Sequence, residues 1–215
     1  MQKEPTREEV LEAYDYDEER GCLLFKRTWG RGRAGEVAGS IDKQGNLVIR
    51  LNGRSCYLSS LVWLLHTGTW SDRVRFHDDN KLNSHISNLF SLPDTADKLT
   101  PQDILNCFIY DKENGKLLRK HSYAGGVIGS EGSTLHGYLK HGILRKQFYV
   151  SDMVWFIETG SWPTGELEHV NFIKDDNRIS NLREVSKQQY NSNTKAISSR
   201  KKIATSANKF VAQST

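Results

Sequence analysis

Two kinds of apolar spacing alternate along the chain, and each predicts a different element. Val10, Leu11 and Tyr14 recur at helical spacing behind Thr6-x-x-Glu9, and Ile104, Leu105 and Phe108 do so behind Thr100-x-x-Asp103. Both are capping-box arrangements that predict a short helix. Gly21 and Gly115 end those segments. Runs punctuated by glycine and rich in β-type residues follow: CLLFKR, GEVAGS and GNLVIRLNGRSCYL in the first half, then KLLRK, GVIGS and GYLKHGILRKQFYV in the second. Asn52-Gly53 within LNGR is the signal of a tight hairpin. SSLVWLLHTG and SDMVWFIETG predict amphipathic helices that start at Ser59 and Ser151 and stop at Gly68 and Gly160, with their tryptophans in the core. The expected class is α+β, with small twisted antiparallel sheets backed by helices.

The same order of landmarks occurs twice. Thr6, Tyr16, Gly21 and Leu23 return as Thr100, Tyr110, Gly115 and Leu117. Later, Trp63, Thr67, Gly68 and Trp70 return as Trp155, Thr159, Gly160 and Trp162, and Ile86-Ser87-Asn88-Leu89 as Ile179-Ser180-Asn181-Leu182. Self-similarity at this length predicts two tandem repeats, placed at 5–95 and 99–194, with a basic tail over 195–215.

Composition narrows the class. The 215 residues are 37% hydrophobic and 10% aromatic with four prolines, which supplies a core and excludes a disordered or collagen-like chain. No apolar run approaches the roughly 18 residues of a membrane span, and MQKEPTREEV is too charged for a secretory leader, so a soluble, intracellular protein without a membrane partner is expected. Cys22, Cys56 and Cys107 form no C-x-x-C pair, which disfavours a disulfide framework and a zinc cluster. His136 and His141 are read as surface residues. The net charge of +4 is segregated: acids dominate before Arg20, whereas the stretch beyond Lys187, including Lys201 and Lys202, carries no acid. Such an arm suits a phosphate backbone, although a solvated tail has the same composition. Neither a phosphate-cradling G-K-[S/T] loop nor a G-x-S-x-G elbow is present.

The string TGSWPTGELEHVNFIKDDNRISNLREVSKQQYNSNT resembles the phage-type HNH endonucleases. Their pattern runs from a Trp helix through T-G-x-W-P, an acid-His pair and D-N-R-I-x-N-L-R-x-V to a short helix ending in asparagines. The resemblance covers both repeats and implies that each ends in a ββα-metal (HNH-like) motif. It implies a metal-dependent DNA endonuclease that uses Mg²⁺ or Mn²⁺ on double-stranded DNA. Phosphodiester hydrolysis needs a base near neutral pKa and a cation to offset charge on the phosphate. His169 fits the base, and Glu168, on the opposite side of an extended strand, fits the metal. Asn181 stands at the family's middle asparagine, expected to hold the other imidazole nitrogen; the alternative reading is an asparagine that caps a turn. Where the family carries a metal-ligating asparagine this chain has Tyr190, with Asn191 and Asn193 nearby as candidates. On a helix Asn193 lies about 60° from position 190 and roughly 4.5 Å along the axis, and Asn191 points well off that face. In repeat one, Arg75 and Phe76 replace the acid and the histidine, and His77 is one residue out of register, so that copy reads as catalytically dead.

Arg50, Arg54, Lys140, Arg145 and Lys146 lie on the β-type segments before each Trp helix, where they suit DNA phosphates or merely solvated strand faces. Arg178, aligned with His85, is a further candidate phosphate contact. One complete centre of two predicts nicking of a single strand by a monomer that acts as a pseudo-dimer, in the cytoplasm of a phage-infected bacterial cell. The competing readings are an inactive HNH-derived regulator or accessory protein that binds double-stranded DNA, and a protein-interaction module.

Overall fold

Thr6 and Thr100 each close a capping box with Glu9 and Asp103, which fixes the start of helices α1 (Arg7–Ala13) and α3 (Pro101–Cys107). The computed structural model describes residues 4–28, 30–122 and 126–195. Its contacts divide into two compact units, Met1–Leu99 with His121–Val127 and Thr100–Lys120 with Ile128–Thr215.

In unit 1, α1 runs into the antiparallel hairpin β1 (Tyr14–Asp17) and β2 (Cys22–Phe25). A three-stranded sheet follows, β3 (Ser40–Ile41), β4 (Leu47–Leu51) and β5 (Arg54–Tyr57), then helix α2 (Leu58–Thr67) and the hairpin β6 (Val74–Phe76) and β7 (Leu89–Ser91). Asn52 and Gly53, both with positive φ, make the tight turn between β4 and β5. Val10, Leu23, Ile49, Leu58, Leu61 and Val62 are fully buried and join the helices to the sheet. Each such side chain contributes about 1.5–3 kcal/mol by leaving water.

Unit 2 has the same order of elements. After α3 come β8 (Phe108–Asp111) and β9 (Lys116–Arg119), the sheet β10 (Ser133–Leu135), β11 (Tyr138–Ile143) and β12 (Lys146–Tyr149), helix α4 (Val150–Thr159), and the hairpin β13 (Glu166–His169) and β14 (Leu182–Val185). A fifth helix, α5, covers 187–195. The protein is thus a mixed α and β molecule of small antiparallel sheets and five helices among the described residues.

Three local expectations need correction. Strands β5 and β12 run directly into the Trp helices, so these start at Leu58 and Val150; Tyr57 and Tyr149 are the N-caps, and no side chain caps either helix. GEVAGS yields only Ser40, the first residue of β3, plus a single bridge from Val37 to Leu24, because Gly39 turns the chain at φ 118°. GVIGS forms no strand: it turns at Gly129, whose N–H donates to Arg119 O at 2.8 Å, and leaves Val127 and Ile128 exposed. Gly68 and Gly160 end α2 and α4 in the left-handed conformation, as expected.

Candidate active site

The loop joining β13 to β14 is shaped by one asparagine. Asn181 Nδ2 donates to Asp176 O at 2.7 Å and Asn171 Oδ1 at 3.0 Å, and its Oδ1 accepts from Asn171 N at 2.9 Å. Asn88 does the same between β6 and β7, with Asn83 O and Asp78 Oδ1 at 2.8 Å and Asp78 N at 3.1 Å. This shared bonding explains why Asn88 persists beside Phe76. The expectation that Asn181 holds the imidazole is corrected accordingly, since its amide is used up in stapling the loop.

The group on the ring is Asn177. His169, at the end of β13, is 7% exposed, and its Nε2 lies 3.1 Å from Asn177 Oδ1. Asn177 is 1% exposed and its Nδ2 donates to Asp175 O at 3.2 Å, so the amide oxygen must face the ring. An oxygen there requires Nε2 to carry the proton, which leaves the Nδ1 lone pair available. The backbone of Asn177 is itself braced by the β8–β9 turn. Gly115, at φ 64°, sits so close that an added Cβ would lie 2.2 Å from Arg178 N and 2.6 Å from Asn177 C. In unit 1 the same turn, at Gly21, presses on His85, and the position before His85 is Ser84. Ser84 Oγ is buried without a partner, as follows from Phe76 offering no ring nitrogen.

Tyr138 packs on His169 with ring centroids 5.7 Å apart. Burial first, and a hydrogen bond with Tyr190 second, push the Tyr138 hydroxyl up to about 12. Glu168 accepts from Asn193 Nδ2 at 2.7 Å and from Arg183 NH2 at 2.9 Å, Arg183 being its direct partner across the ladder. Asn191 is exposed on α5 and makes no such contact.

These donors bear on the metal. Glu168 and Asn193 bring a carboxylate and an amide together from β13 and α5, both hard oxygen ligands of the kind Mg²⁺ takes alongside water and substrate phosphate. Ligation through Asn193 requires its amide to rotate, since the NH2 faces Glu168 in this structure. Among the described residues no cluster of three or more His, Cys, Asp or Glu could hold an ion unaided. The donor set thus fits a hydrated hard cation completed by substrate, and does not fit zinc.

The basic candidates are dispersed. Arg50 is exposed on β4 and Arg54 half-buried on β5. Lys140 sits with its ammonium 4.1 Å over the Tyr149 ring and Lys146 5.2 Å over Phe148; Arg145 is exposed in the β11–β12 turn at φ 63°. Lys174, absent from the expected set, stands 4.5 Å over Tyr138, beside His169. Arg178 is bound to Asp176, whose carboxyl it holds at about 2, so a phosphate must compete for it. Lys201, Lys202 and the tail beyond 195 lie outside the described residues. His141 is no surface residue: it is 2% exposed, bonds Leu117 O through Nε2 at 2.7 Å, and burial lowers its pKa. His85 caps the 3-10 turn at Ile86–Asn88, accepting from Ser87 N. The three cysteines are buried and form no disulfide.

A family model described as HNH endonuclease matches residues 148–191, which span α4, the β13–β14 hairpin with its loop, and the start of α5. No curated protein and no solved structure matches the chain. The match supports a nuclease of HNH type, a hydrolase class whose substrate is DNA and whose members generally use divalent metal ions. No helix among the described residues is long and apolar enough to cross a membrane.

Proposed function

We propose that the protein is a metal-dependent HNH endonuclease that nicks double-stranded DNA through unit 2, unit 1 being a duplicated copy without catalytic chemistry. The observation that carries this reading is the His169–Asn177 pair inside the matched segment. With Nε2–H donated to Asn177, the Nδ1 of His169 accepts the proton of a water as that water attacks phosphorus. Tyr138 covers one side of the ring and restricts its rotation. Glu168 and Asn193 would hold the cation, which when bound supplies electrostatic stabilisation of the charge that builds on the phosphate and the leaving oxygen. Lys174 and Lys140, held over Tyr138 and Tyr149, steer the backbone toward the site. Magnesium or manganese, a phage-type origin, a bacterial cytoplasm and a monomer working as a pseudo-dimer complete the proposal.

One observation favours the competing reading, an inactive protein that binds double-stranded DNA: both oxygens of Glu168 are already engaged, by Arg183 and Asn193. Supercoiled plasmid incubated with Mg²⁺ or Mn²⁺ separates the two. Conversion to open circles by the wild type and a loss of at least about a hundredfold in His169→Ala are expected. Intact plasmid alongside firm gel-shift binding would leave the inactive reading standing.

A further inference from the structure

The hairpins β6–β7 and β13–β14 are superposable in register, Phe76 facing Leu89 as His169 faces Leu182, and Arg75 facing Phe90 as Glu168 faces Arg183. Around the two sites the charges are reversed. Unit 2 presents Asp152 as the third residue of α4 and Glu166 and Glu168 on β13; unit 1 presents Ser60 as the third residue of α2, Arg73 just before β6 and Arg75 on it. Three acids have become one hydroxyl and two guanidinium groups. Loss of catalysis by drift would remove ligands; here their sign has changed.

Arg75 opens onto a cleft of about 520 Å³, floored by Phe76 and the first turn of α2, with Lys81 on its rim. Helix α2 has ten residues, no side-chain cap and no acid in its first turn, so no side chain of its own offsets its leading N–H groups and dipole. Ser59 and Ser60 in that turn are 7% and 2% exposed and line the cleft, and neither hydroxyl has a hydrogen-bond partner among the described residues. The two carboxylates at the cleft are spoken for: Asp79 by His121 Nδ1 at 3.2 Å and Ser122 N at 3.3 Å, Asp72 by Trp70 Nε1 at 3.0 Å. Lys81 is exposed and anchored through Gln44 O at 2.9 Å, which holds its ammonium at the rim.

The first turn of a helix without an acid of its own, two serine hydroxyls, the Lys81 ammonium and the Arg75 guanidinium, one of whose N–H groups donates to Val74 O at 3.0 Å, outweigh in donors the two engaged carboxylates and suit a tetrahedral oxyanion. We propose that this cleft of unit 1 is a phosphate-binding site, which takes either a backbone phosphate of a nucleic acid or a free phosphate ion. The site is independent of whether unit 2 cuts.

The full-length His169→Ala protein keeps nuclease activity out of the measurement. Inorganic phosphate titrated against it, with chloride at equal ionic strength as control, should shift the backbone amide resonances of Ser59, Ser60 and Leu61 in a saturable way. Lys81→Gln, an exposed change that leaves the core untouched, should weaken that binding several-fold, and Arg75→Gln should weaken it about tenfold or more. A short duplex without terminal phosphates distinguishes the sources. If it shifts the same amides and competes with phosphate, the ligand is the backbone, and Arg75→Gln then lowers the salt slope of duplex binding by about one. If only the free ion shifts them, the site takes free phosphate. Amides that stay still with both, or that move equally with chloride, overturn the proposal.

Discussion

Asn177 sets what His169 can do, because its amide is pinned by Asp175 O and so dictates the ring tautomer. Asn177→Ala is expected to lower kcat by about 10–100-fold with KM nearly unchanged, and Asn177→Asp, whose oxygen still accepts from Nε2–H, to recover most of the loss. A fall confined to KM would remove Asn177 from this role. Asp152 tests the site's electrostatics. Burial, reinforced by the neighbouring charge of Glu166, raises its carboxyl to about 6. The folded protein therefore holds a proton that the unfolded chain, with an ordinary carboxyl near 3.9, has released, so stability falls as pH rises through roughly 4 to 6 and stays lowered above. Asp152→Asn lacks this penalty, and urea melts should find it more stable than wild type at pH 7.5 by on the order of 2 kcal/mol, with the advantage vanishing near pH 4. At this scale residue chemistry and helix spacing named His169, Glu168 and Asn193 as candidates, and the fold brings Asn193 to Glu168 at 2.7 Å. Asn177 was not named, because its partner is chosen by a loop path that no periodicity encodes. Asn181 was misread for the same reason, its bonds all running within that loop.

Among the elements, the hairpin turns matter most to the site. The β8–β9 turn approaches the chain at Asn177–Arg178 so closely that only a residue without a side chain fits. Gly115→Ala combines positive φ with a backbone clash and should cost about 2 kcal/mol or more in thermal or denaturant unfolding. It should also reduce nicking in the surviving folded fraction, since the displaced loop carries Asn177. Helices, hairpin turns and C-caps could be read from capping boxes, Asn-Gly and Gly after an apolar run. GEVAGS and GVIGS could not, because glycines at φ 118° and 76° mark turns as readily as strand ends. The Trp-helix starts were misplaced by one residue because strand and helix share a boundary without a connecting loop, and Ser59 and Ser151 drop into the buried first turn.

At the level of the whole chain, two units with one element order carry opposite charge at equivalent positions, Arg75 in one and Glu168 in the other. The repeated order of landmarks was visible in the spacing, and so was Phe76 at the position that aligns with His169. The reversal of charge was not, because it joins residues of a helix and a strand that meet only in three dimensions. Hydrolysis by one unit and grip by the other would make duplex engagement salt-sensitive and the cut single-stranded. The asparagine staple at Asn88 and Asn181 carries a last consequence. Both loops are closed by amide, carbonyl and carboxylate groups of the chain, so neither waits for an ion to acquire its shape. EDTA should thus abolish nicking while moving the melting temperature by less than about 2 °C, unlike small domains that unravel when their metal is chelated. A loop that keeps its shape without an ion can also keep it without a histidine, as the loop beside Phe76 does.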